Sequence, residues 1–189
     1  MEFEKDIVRC LEVLHGGGLI LYPTDTVWGI GCDATDPKAV DKIISLKHRL
    51  ASKSMIVLVA EVRDINRYSS RVEPFVAQYL ETTTTPTTVI YEGALGLAEN
   101  LVGDDGSVAI RVVQEPFCRH LIKRFRKPLV STSANLSGQE TPKNFAAVSK
   151  EIIAGVDYTV KYRQEDLTEA KPSRLLRFTK NGEPEILRS

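Results

Sequence analysis

Short apolar runs closed by proline or glycine, alternating with amphipathic stretches, constrain this 189-residue chain more than any other feature. Residues 19–22 are apolar and stop at Pro23, 55–60 form a continuous Ile- and Val-rich run, and 107–113 and 128–130 repeat the pattern. Such runs read as strands buried in a sheet, and 89–91, 158–160, 174–178 and 185–187 read as further short strands. Between them, Ile7, Val8, Leu11 and Leu14 fall at helical spacing before Gly16, Gly17 and Gly18 turn the chain. Asp36-Pro37 opens a second helix with Val40, Ile43, Ile44 and Leu46 on its apolar face, expected to end near Leu50. Residues 73–80, 116–125 and 144–153 read as three more, and the threonine-rich segment 82–88 breaks the first of these. Strand and helix in alternation, with no internal repeat, mean an α/β domain with a largely buried mixed sheet. Ligands in such sheets gather at strand ends.

Composition then removes several classes of function. With 42% hydrophobic and 26% charged residues the chain folds rather than staying disordered, and its length suits one domain. Lys plus Arg and Asp plus Glu number 25 each, so no global field holds a nucleic acid and any polyanion site is local. Cys10, Cys32 and Cys118 form no paired motif and read as reduced, buried thiols. The acidic, amphipathic N-terminus carries no signal-peptide pattern and no apolar stretch reaches membrane-spanning length, so a cytoplasmic protein without membrane contact is expected.

Several residue groups have chemical potential. Pro23 delivers Thr24, Asp25 and Thr26 into a loop at a strand end. Gly29 and Gly31 make a G-x-G without the third glycine of a dinucleotide loop, and no Walker pattern occurs; close backbone approach within a strand is the plainer reading. Lys47, His48, Arg49 and Lys53 cluster at a helix end, where they would embrace a triphosphate or complement the helix dipole. Arg111 alternates with Val108, Ile110 and Val112 and so occupies the opposite strand face, where burial would demand an anionic partner. Ser131, Thr132, Ser133 and Asn135 emerge together after the strand that ends at Val130, as caps of a turn or as ligand contacts. His15, His48 and His120 lack paired metal spacing, and no Ser-His-Asp or Cys-His set stands out.

Taken together, YPTDTVWGIGCDA (22–34), the K-x-R of Lys47 and Arg49, SVAIRVV (107–113), PLVSTSANLSG (128–138) and the closing ILR (186–188) resemble the YrdC/Sua5 family of L-threonylcarbamoyladenylate synthases. The segments follow in order over nearly the whole chain. The resemblance implies a YrdC-like twisted, open mixed sheet flanked by helices, with a deep, positively lined cavity. It also implies a single domain over 1–189 of the stand-alone type, without the second domain of the longer Sua5 proteins. The implied reaction joins L-threonine, bicarbonate and ATP, with magnesium, into threonylcarbamoyl-adenylate and pyrophosphate. The product feeds N6-threonylcarbamoyladenosine at tRNA position 37 through partner proteins that transfer the group. By motif, Thr26, Arg111, Ser131 and Ser173 would hold threonine. Lys47, Arg49 and Lys53 would face the ATP phosphates, and Ser107, Ser133, Asn135, Thr141 and Arg188 would contact the nucleotide. Lys47, Arg49 and Arg111 would serve the reaction itself, while magnesium would rest on phosphate oxygens and water with no protein ligand named.

The chain departs from the family pattern at Trp28, where tyrosine or phenylalanine is usual, and at Leu50, which replaces a proline. The stretch 84–88 stands where P-G-P-x-T is common, and Arg174 replaces threonine or glutamate. Two alternatives stay open at this level. An RNA-binding or ribosome-maturation factor of the same fold would use the basic run Lys123, Arg124, Arg126 and Lys127 to touch tRNA or double-stranded RNA, where the plainer reading is a solvated helix end. A paralogue of the same fold would act on another amine or carbamoyl compound.

Overall fold

The computed structural model describes residues 2–48 and 55–189. Helix α1 (Glu4–His15) turns Ile7, Cys10 and Leu14 inward and ends at the glycines, where Gly17 takes a left-handed φ of 68°. Strands β1 (Ile20–Tyr22) and β2 (Gly29–Gly31) flank the Pro23–Thr26 loop. Helix α2 (Pro37–Leu46) starts as its sequence requires, with the Asp36 carboxylate accepting from Lys38 N at 2.9 Å and Pro37 in the first turn. It stops at Leu46, short of the expected end; Leu50 lies outside the described residues. Next come β3 (Ile56–Val59), α3 (Pro74–Thr82), β4 (Thr87–Tyr91), β5 (Val108–Val112), α4 (Pro116–Phe125) and β6 (Leu129–Ser133). The short helix α5 (Lys150–Ala154) and strands β7 (Tyr158–Thr159), β8 (Arg174–Phe178) and β9 (Pro184–Arg188) complete the order.

Among the described residues, nine strands join one twisted mixed sheet in the order β7-β1-β2-β6-β3-β5-β4-β8-β9. The pairs β3–β5, β1–β7 and β4–β8 are parallel and the others antiparallel. One face of the centre is core: Val57, Val59, Ile110 and Val130 are buried there beside Phe117, Leu121 and Ile122 of α4. Gly31 shows why a glycine sits in β2. A Cβ there would lie 2.6 Å from both Val130 O and a Tyr22 ring carbon, so the close-approach reading of the G-x-G holds.

Two expectations need correction. Ser131, Thr132 and Ser133 lie within β6 rather than in a turn after it, because Gly29 and Ile30 of β2 pair with Ser133 and Thr132 and Ile56 of β3 pairs with Ser131. The helix expected over 144–153 divides into a 3-10 turn (Phe145–Ala147) and α5, since Ser149 caps the second piece by accepting from Ile152 N. The three cysteines are free and buried, and burial raises each thiol's pKa, leaving them unreactive. Among the described residues no helix is long and apolar enough to cross a membrane.

Candidate active site

Register brings the site together. Ser131 pairs with Ile56, Leu58 with Arg111, Arg111 with Thr88, Thr88 with Leu175 and Leu175 with Arg188. Directly paired residues share a sheet face, so Ser131, Arg111, Thr88 and Arg188 line one side across the sheet, opposite the α4-covered core. The Pro23–Thr26 loop and the segment at Pro172 and Ser173 close over this face. A cavity of about 150 Å³ results, lined by Thr26, Arg111, Ser131, Ser133, Thr141, Ser173 and Arg188 among others. That is room for a small amino acid, below the ~300 Å³ at which pockets for larger ligands begin. Ile56 and Arg188 also line an adjoining hollow of about 290 Å³ with apolar walls of Leu101, Val108 and Leu175 and with Ser107 at its rim.

Arg111 is the centre of the cavity's electrostatics. Its side chain is only 3% exposed, and the anionic partner its burial demands is Asp25, with Nη2 3.2 Å from Oδ1. Nη1 donates to Thr26 Oγ1 at 3.0 Å, while Nε is buried without a partner. The other Asp25 oxygen accepts from Gln114 N at 3.0 Å. Opposite, Ser173 Oγ lies 2.7 Å from Thr88 Oγ1, and Arg188 donates through Nε and Nη2 to the Ser173 carbonyl at 3.2 and 3.0 Å. Burial and then repulsion from Arg111 lower the Arg188 pKa. Two guanidiniums facing one small space against one carboxylate make it a site for anions.

Lys47 is buried and follows α2 directly. Its Nζ donates to the carbonyls of Ser133 and Asn135, the latter at 2.6 Å, and its own carbonyl accepts from Ser137 N at 3.1 Å. It thus holds the turn after β6 and lines neither hollow. Asn135 donates to Leu136 O and Gln139 O at 2.9 Å each, inside the same turn. Ser107 N is bound to Asp105 Oδ1 at 3.0 Å. Arg49 and Lys53 lie outside the described residues. Among the described residues no cluster of His, Cys, Asp and Glu is arranged to hold a metal, and His15, His48 and His120 are all exposed.

Sequence reasoning placed Asp25 in its loop but gave it no role, and it missed Thr88, Glu115 and Arg163. A buried guanidinium at Arg111 requires a nearby carboxylate, which is the signal that points to Asp25; the others are contacts that no local pattern announces. Arg174 neighbours Leu175 on the opposite face and points to Tyr79 OH at 3.5 Å, away from the cavity. Trp28 packs on Phe145, ring centroids 4.7 Å apart. In the basic run, Lys123 pairs with Glu61, Arg124 with Glu4 and Lys127 with Asp33. Lys123, Arg126 and Lys127 join Arg63 and Arg67 along a separate groove of about 370 Å³.

Known proteins share this fold and much of this sequence. The Sua5/YciO/YrdC family model, described as telomere recombination, matches residues 12–189. A threonylcarbamoyl-AMP synthase of Psychromonas ingrahamii is 35% identical over 150 residues, 78% of each chain. One from Vibrio campbellii is 30% identical over 182 residues, covering 92% of this chain and 98% of that protein. The structure of P. abyssi Sua5 complexed with L-threonine superposes on 98% of this chain with a TM-score of 0.86 at 22% identity, a match of fold. This chain spans about half (54%) of that protein.

Proposed function

Because the chain belongs to the Sua5/YciO/YrdC family, we propose that it is a threonylcarbamoyl-AMP synthase and that the cavity around Arg111 is its threonine site. The reading rests above all on one observation. A buried guanidinium with an unpartnered Nε faces a space of amino-acid size walled by the hydroxyls of Thr26, Ser131 and Ser173. A threonine carboxylate suits Arg111, and its hydroxyl suits the serine and threonine walls.

In this reading the threonine amine and bicarbonate first form a carbamate with loss of water. A carbamate oxygen then attacks the ATP α-phosphorus, and the bond to pyrophosphate breaks, which makes the reaction a nucleotidyl transfer. Threonine carboxylate, carbamate and polyphosphate bring several negative charges together, so positioning and cationic groups lower the barrier and no side-chain nucleophile is needed. Arg111 and Arg188 supply positive charge from the sheet face, and Arg49 of the K-x-R, with Lys53 after it, is proposed for the phosphates. The adjoining hollow near Ser107 offers the space that the 150 Å³ cavity lacks for a nucleotide. Magnesium enters with ATP as substrate. Asp25 is already engaged by Arg111, and the ion would rest on phosphate oxygens and water.

The test is incubation with magnesium, ATP, bicarbonate and labelled L-threonine. A labelled adenylate should appear with equimolar pyrophosphate, only with bicarbonate and not with serine. Arg49→Ala and Lys53→Ala should each lower the rate by about 10²-fold without changing the melting temperature; near-normal turnover in both removes the phosphate assignment. No product from an ATP-binding chain moves the reading to a paralogue with another amine or carbamoyl substrate.

The product would serve threonylcarbamoylation of tRNA by partner proteins, and for direct RNA contact we propose the groove of Arg63, Arg67, Lys123, Arg126 and Lys127. Among the described residues that line it, the carboxylates are Glu61 and Asp64; they bond each other's backbone N–H and Glu61 also pairs with Arg63 and Lys123, while Arg67 and Arg126 form no ion pair among the described residues. Arg67→Glu with Arg126→Glu should weaken tRNA binding about tenfold and flatten its salt dependence. An unchanged slope assigns RNA contact to another surface.

A further inference from the structure

Arg163 lies outside the cavity, yet it is bound to both elements that fix Asp25. Its backbone is left-handed, φ 63°, a conformation that favours glycine. The side chain is what the position uses. Nη1 donates to Thr24 O at 3.2 Å and to Glu115 Oε2 at 2.7 Å, while Nε and Nη2 donate to Asp166 Oδ2 at 3.1 and 2.8 Å. Thr24 precedes Asp25 in the loop. Glu115 follows Gln114, whose N–H holds the second Asp25 oxygen. Arg163 thereby grips both sides of the carboxylate that orients Arg111.

The same residue anchors the strap that carries Ser173. At the start of this strap the buried Asp6 carboxylate accepts from Lys161 N at 3.1 Å, Tyr162 N at 2.9 Å and Tyr158 OH at 2.6 Å. At its far end Ser173 lines the cavity. Thr26 and Arg111 form one wall of that cavity and Ser173 another, and Arg163 is bonded into the loop of the first while belonging to the strap of the second.

We infer that Arg163 is a positioning residue for the small-ligand cavity, setting through Thr24, Glu115 and Asp25 the placement of Arg111 and Thr26 against Ser173. A residue in this role sets how well the cavity fits its ligand without touching it. In kinetic terms, resting on the synthase reading above, it governs the KM for threonine and not that for ATP.

Arg163→Gly relieves the left-handed backbone but leaves Glu115 buried without its counter-charge, so Glu115→Gln/Arg163→Gly is made beside it. In both variants KM for threonine should rise about tenfold, with kcat and KM for ATP within about twofold of the parent. Arg163→Lys should not restore the parent value, because an ammonium cannot span Thr24 O, Glu115 and Asp166 at once. Threonine KM within twofold of the parent, or threonine and ATP KM rising together, overturns the inference. A parent that makes no adenylate sinks the synthase reading instead, and a second measurement then decides the role of Arg163. Amide exchange at Thr26 and Gln114 should be about tenfold faster in the double variant, and unchanged exchange there overturns the positioning role whatever the reaction.

Discussion

Arg111→Met is expected to lower threonine-dependent adenylate formation by about 10²–10³-fold and also to destabilise the protein by about 3–5 kcal/mol. The two losses have separate causes. Turnover falls because the cavity loses the guanidinium that lines it. Stability falls because Asp25, 9% exposed and 3.2 Å from Arg111, is left without its counter-ion. At roughly 2–4 °C per kcal/mol for a chain of this size, the melting temperature should drop by about 6–20 °C. Arg111→Met with Asp25→Leu separates the effects: an apolar pair should recover most of the stability and none of the activity. A double variant as unstable as the single shows that the ion pair is not what the region depends on. Parent-like turnover in the single variant moves the anion site away from Arg111.

Lys47→Met is expected to cost about 3 kcal/mol and to lower turnover at least about tenfold. Methionine keeps the length of the buried stem but removes the ammonium that bonds Ser133 O and Asn135 O. Ser133 ends β6 and lines the cavity, and Asn135 lies in the turn that follows. Loosening that turn moves a cavity wall, so the melting temperature and the rate should fall together, the former by about 6–12 °C. An unchanged melting temperature with lost activity assigns the Lys47 ammonium to ATP, as the family resemblance implies, rather than to the turn.

The extent to which the chain announces its structure differs by residue. Helix α4 was legible to its ends because Pro116 starts it and Phe117, Cys118, Leu121, Ile122 and Phe125 repeat at helical spacing. The run at 128–130 was legible as a strand, but its extension through Ser133 was not. Hydroxyl residues favour turns locally, and only pairing with Gly29 and Ile30 keeps these three extended. The 144–153 segment failed for the opposite reason. Its apolar spacing is helical, but Ser149 offers a cap in mid-segment and restarts the helix.

Sequence by itself determined the alternating strands and helices, the facing of Arg111 away from Val108, Ile110 and Val112, and the motif set that marks the family. These are properties of neighbours along the chain, where side-chain period and turn chemistry act directly. Only the tertiary structure decided that Asp25 is the partner of Arg111, that Thr88 and Arg188 hold Ser173, that Lys47 holds the turn after β6, and that Arg163 grips the loop of Asp25. Each of these joins residues brought together by sheet register and strand order. A buried charge dictates that some partner must exist, but which one is settled by the crossovers that set distant strands side by side.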